Sequence, residues 1–218
     1  MGLFDFFKTP KSQPTNVKSR EEQISEIVKE IGKCYHGFFT DMSRLLEECS
    51  NREARAIRIG SEIPMIAYFD FENFNTLLFN NMNLEIKNKN SIFFQEQCTF
   101  YVLFSDRYLF SKLGNESRNQ VMEVLERAYL NKILNTGMTN FTNHNEAAKM
   151  CHIYEKHILE REKETTQLGS LLDFSTFHSF TLIYRLGLEN KNDFVRFLLN
   201  EIIVTGTLEF TIQMLSTL

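Results

Sequence analysis

An all-α fold, a single-domain bundle of about six to seven helices packed along a long N-terminal helix, is predicted by three features of the sequence. Apolar residues between 19 and 49 recur at steps of four and three. Breakers are scarce, with nine glycines and three prolines in 218 residues. Val-rich alternating runs are few, so a sandwich or barrel, which needs frequent turns, is disfavoured. A chain of this length buries about 70% of its unfolded surface, enough for one self-sufficient core.

The first element is the most strongly marked. Ile24, Val28, Ile31, Tyr35, Phe38, Met42, Leu45 and Cys49 form one apolar stripe on a helix over 19–49. Ile27, Cys34, Phe39 and Leu46 widen it beyond a coiled-coil seam, which favours a core helix. Ser19 and Glu22 have the spacing of a capping box. At about 1.5 Å per residue the helix spans roughly 45 Å, the full width of a domain this size.

Residues 51–59 read as a short basic helix ending at Gly60, with Arg52, Arg55 and Arg58 on one side. That triplet suits an anion or acidic partner, or pairing with Glu47, Glu48 or Glu62. Pro64 fits the first turn of a new helix after Ser61. Over 65–82, YFDFENF alternates like a strand, yet Ala67, Phe71, Phe74, Leu78 and Met82 keep helical spacing, so a helix is expected. The Asn-rich stretch 80–90 is the best candidate for an internal break in the domain 19–218.

Residues 91–113 are apolar nearly all round, which predicts a central buried helix closed by Gly114. Amphipathic helices follow over 116–136 and from 145 to 166, the latter densely charged in its second half. Two more are expected over 171–186 and 191–216, with Gly206 positioned to kink the last.

Residues 1–18 divide into an aromatic head and a polar tail with Pro10 and Pro14, which reads as a flexible tether. Leu3, Phe4, Phe6 and Phe7 are the candidate partner- or membrane-binding residues. Phe6 stands where a myristoylation signal wants Ser or Thr, so lipidation is not expected.

Composition narrows the function classes. Formal net charge is −4, with 24 Lys and Arg interleaved among 28 Asp and Glu, so no nucleic-acid partner is expected. Cys34, Cys49, Cys98 and Cys151 form no C-x-x-C pair, which fits reduced thiols in a cytoplasmic setting. No two glycines are separated by one residue, and neither G-x-x-x-x-G-K nor G-x-S-x-G occurs, so no nucleotide cofactor is expected.

Metal ligation comes closest in CHIYEKH, 151–157, with Cys151, His152, Glu155 and His157. His152 and His157 are five apart, about 140° around a helix, which prevents joint ligation. His152 with Glu155 is a feasible two-ligand start that needs a third group from elsewhere. No histidine follows a Glu by three, which excludes the paired E-x-x-H turns of a di-iron bundle. Asp173, Ser175 and His178 lie close in sequence, but His178 reads as a core residue; Asp70 and Glu72 read as surface acids.

These features favour a non-enzymatic interaction or regulatory module whose partner is another protein, or a second copy of itself. The alternatives are a site assembled around His152 and Glu155, and a peripheral membrane protein held by its N-terminus. A polar pocket with two or more titratable groups would favour the first alternative, and a broad apolar patch the interaction module.

Overall fold

The computed structural model describes residues 19–84, 86, 90–135, 143–149, 152, 156, 171–188, 193–204, 206 and 210–218. Among the described residues the chain is all-α, with no strand. Helix α1 is Arg20–Glu47, α2 Arg52–Met82, α3 Asn90–Leu134, α4 Leu171–Arg185, α5 Asp193–Ile203 and α6 Phe210–Leu215. Residues 144–149 are also helical. The most extensive helix pair is α2 with α3, and α1 touches α2, α5 and α6.

Helix α1 begins as its sequence dictates. Ser19 accepts from the Glu22 backbone and Glu22 reaches back to the Ser19 N–H at 2.8 Å, completing the capping box. Its buried positions are Ile27, Ile31, Tyr35, Phe39, Met42 and Leu46, whereas Val28 and Cys34 are exposed. The buried stripe is therefore rotated from the predicted one toward the residues that widened it. A stripe broader than a heptad seam leaves its centre undefined until a neighbour selects a side.

The short basic helix and the helix expected after Ser61 are one element. Asn51 caps α2 by accepting from Ala54 N at 2.9 Å, and the helix runs through Gly60 and a buried Pro64 to Met82. Pro64 thus lies mid-helix rather than in a first turn, where its ring removes the bond to the residue-60 carbonyl. Asn83 closes α2 in the left-handed region at φ 50°, and Leu84 N bonds back to Leu78 O. Helix α2 ends at Met82 and α3 begins at Asn90, both within the Asn-rich stretch 80–90.

The expected helices over 91–113 and 116–136 meet at Gly114, whose φ of 71° and ψ of 179° interrupt the helical geometry of α3. This is a conformation that only glycine adopts cheaply. Residues on both sides of it line a common cleft, so the two halves of α3 fold back on each other.

One contiguous hydrophobic core joins the described helices, centred on Tyr35, Phe74, Phe93, Phe94, Phe100, Phe104, Tyr101 and Tyr129. Phe93 bridges α2 and α3, with ring centroids 5.5 Å from Phe71 and 5.8 Å from Phe74. The expected last helix is represented by α5 and α6, with Val204 and Gly206 between them in π-helical geometry. The aromatic head and tail, 1–18, lie outside the described residues. No helix among the described residues is long and apolar enough to cross a membrane.

Candidate functional site

Three regions contain the polar and exposed apolar groups from which a site could be built. The first is sealed in the core. Asp70 of α2 is fully buried, and three donors converge on its carboxylate. Tyr35 OH of α1 donates to Oδ1, while Tyr101 OH and Gln97 Nε2 of α3 each donate to Oδ2 at 2.7 Å. Because the Gln97 amide nitrogen faces the carboxylate, its Oε1 faces His178 of α4, 3.0 Å from Nε2. That ring nitrogen is therefore the protonated one. The imidazole stacks on Phe100, with centroids 4.0 Å apart and planes 5° from parallel. Its Nδ1 has no hydrogen-bond partner among the described residues.

The electrostatics follow from burial. Loss of water raises the Asp70 carboxyl to about 6, although the donors from Tyr35, Tyr101 and Gln97 pull it back toward ionisation. Burial lowers the His178 imidazole to about 3, so it is neutral. The Tyr35 hydroxyl is pushed up by burial first and by the neighbouring Asp70 charge second. A second buried acid, Glu96, instead forms an ion pair with Arg185. Tyr35, Asp70, Gln97, Tyr101 and His178 are all closed to solvent, so this cluster ties four helices together and presents nothing to a substrate.

Two sequence expectations change here. Asp70 is not a surface acid: residues two apart on a helix face different sides, so Asp70 points into the core while Glu72 is exposed. His178 is a core residue as expected, but it bonds the Gln97 side chain 81 positions away rather than a neighbouring carbonyl. Asp173 and Ser175 lie on α4, with side chains outside the described ones.

The second region is a cleft of about 320 Å³ between the halves of α3, with Ala148 and His152 at its side. It brings together Asp106, Arg118, Glu126 and His152, four titratable side chains whose sequence positions gave no hint of their proximity. Arg118 Nη1 contacts Asp106 Oδ1 at 2.5 Å, across the Gly114 reversal. His152 lines this cleft together with Asp106 and Glu126, whereas Cys151, Glu155 and His157 lie outside the described residues. Among the described residues no group of three His, Cys, Asp or Glu side chains could hold a metal ion.

The third region is the outer side of α2. Ile57, Met65, Tyr68 and Phe79 are exposed at 47, 43, 39 and 53%. At 100° per residue they fall within an arc of about 80°, beside the buried face, along about 33 Å of helix. The arginine triplet at the start of α2 is structural. Arg58 pairs with Glu62, as expected, whereas Arg52 donates to the Leu218 carbonyl and Arg55 to that of Thr217 at 2.9 Å.

No protein-family model, curated protein or solved structure matches this chain.

Proposed function

We propose that the protein is a helical interaction module that docks an amphipathic helix of another protein along the outer side of α2. The observation that carries this is the alignment of Ile57, Met65, Tyr68 and Phe79 on one side of a 31-residue helix. Scattered exposed apolar residues are ordinary on protein surfaces, but four on one narrow arc form a stripe. Ile57, Tyr68 and Phe79 are spaced by eleven residues, close to three helical turns, so they stay in line along the axis. A helix offering anchors at similar spacing would keep register with such a stripe over its length. Ser61 and Glu72, between the anchors, supply the polar interruptions that keep the free surface soluble.

A photo-crosslinking residue placed at Tyr68 in the native cells tests this, with the same residue at exposed Ser43 of α1 as control. The expected result is one protein adduct at position 68 that disappears in a Phe79→Asp background. Equal labelling at both positions would remove α2 as the docking face. An adduct made only of two copies of this chain would replace the foreign helix by a second protomer.

A further inference from the structure

Along the start of α2 the docking face gains a second wall. Glu53 and Ala56 border one hollow with Gln120 and Val124 of α3, and Ile57 and Ser61 border the next with Ala128 and Lys132. Glu53 and Val124 line both hollows, which therefore form one groove. Gly60, further along α2, lies against the Leu125 carbonyl and the Ala128 side chain. Earlier residues of α2 thus face earlier residues of α3, and the two walls run parallel. Ile57, Val124 and Ala128 are the apolar part of the lining, continuous through Ile57 with the stripe on α2.

The charged groups of the groove are not equivalent. Arg127 is paired with Glu123 at 2.7 Å, and Arg52 is turned to the Leu218 carbonyl. Glu53 and Lys132 have no side-chain partner among the described residues. Glu53 lies at the end that Gln120 forms, and Lys132 is two turns beyond Val124, about 12 Å further along the axis. An acid thus marks one end of the groove and a cation the other, with Ile57 and Ala128 between them.

Resting on the reading of α2 as the docking face, we infer that the partner helix runs antiparallel to α2 in this groove. Its acidic first turn lies over Lys132, its basic last turn over Glu53, and its apolar side chains on Ile57 and Ala128. The backbone dipole favours acids in the first turn of a helix and bases in the last. Only the antiparallel direction brings those turns to the opposite charges. The parallel direction sets acid against Glu53 and base against Lys132. The two walls also present their dipoles in the same sense, which favours a third helix running the other way.

The test uses a stapled helical peptide about four turns long, with a leucine stripe, Glu in its first turn and Lys in its last. A second stapled peptide has Gln at those charged positions. Calorimetric titration of the full chain is expected to find the charged peptide bound about fivefold tighter, the effect of two exposed ion pairs. A nitroxide on its N-terminus should broaden the amide signals of Lys132 and Asn135 and spare that of Gln120. In the double variant Glu53→Lys, Lys132→Glu the broadening is expected to move to the Gln120 end, because the same peptide now binds the other way round. Should that variant not fold, the nitroxide on the unmodified protein still reports the direction. Equal affinity for the two peptides, no binding of either, or broadening at the Gln120 end or at both ends of the unmodified groove would each overturn the assignment. The adduct at Tyr68 judges the docking face separately: its presence leaves that face standing when the direction fails, and its absence removes both.

Discussion

Asp70 of α2 and Tyr101 of α3 are joined by a 2.7 Å hydrogen bond across the most extensive helix interface in the protein. Both are fully buried, and Asp70 meets three neutral donors rather than a cation. Hydrogen bonds to a charged acceptor contribute about 1.5–3 kcal/mol, and unmet acceptors cost as much. Tyr101→Phe is therefore expected to lower unfolding stability by about 2 kcal/mol while leaving the helical circular dichroism unchanged. It should also raise the Asp70 titration further, because one donor that favours the ionised form is gone. Urea unfolding at pH 7 gives the first quantity and NMR titration of the carboxyl the second.

The same cluster sets an unusual dependence on pH. Asp70 titrates near 6 in the folded chain against 3.8 for a free side chain. The native state therefore holds the proton more tightly, and this group's contribution falls as pH rises from about 4 to 6. A two-unit shift corresponds to about 3 kcal/mol. His178 acts oppositely: its folded value is near 3 against 6.5, so the unfolded chain takes up the proton first and stability falls as pH drops below 6.5. The two slopes oppose each other across pH 4 to 6. Asp70→Asn is expected to expose the His178 loss, giving a protein that weakens on acidification. His178→Phe should expose the opposite slope. Chemical denaturation of the three proteins at half-unit pH steps measures this; parallel curves would show that neither group titrates as assigned.

Glycines separate into those that fill a tight approach and those that do not. A Cβ on Gly206 would come within 2.8 Å of the Tyr35 ring and 2.9 Å of Asp70 Oδ1, and one on Gly60 would collide with the Leu125 carbonyl. Each change to Ala is expected to cost about 1–3 kcal/mol through overpacking. Gly32 of α1 has open space around it, so Gly32→Ala should stabilise by about 0.5–1 kcal/mol through helix propensity. Thermal melts of the three variants should show the two signs.

Glu96 and Arg185 provide a contrast with Asp70, because here a buried acid does have a guanidinium partner. Arg185→Met leaves that carboxylate without its cation and is expected to cost about 3–5 kcal/mol, whereas the double change Glu96→Leu, Arg185→Met should recover most of the loss. A double-mutant cycle in urea measures the coupling. Independent, additive losses would show that the pair contributes little.

How much of this was legible depends on the range of the interaction. The helices were, since amphipathic spacing, the Ser19–Glu22 box and the break after Met82 are encoded within a few residues of where they act. The role of Gly114 was also legible, because a positive φ is a local demand. Fusion of the basic segment with its neighbour was missed because Gly60 and Pro64 normally end helices; the close approach of Leu125 gives Gly60 a different purpose.

By itself, then, the sequence determined that this chain is helical and, in large part, where its helices start and stop, since those choices are local in energy. Only the tertiary structure decided which side of α1 is buried and that Asp70 faces the core. It alone brings Asp106 to Arg118 beside Glu126 and His152. Each of those outcomes depends on contacts between residues distant along the chain, and the donor that satisfies a buried carboxylate, or the neighbour that covers an apolar stripe, is chosen by packing rather than by sequence spacing.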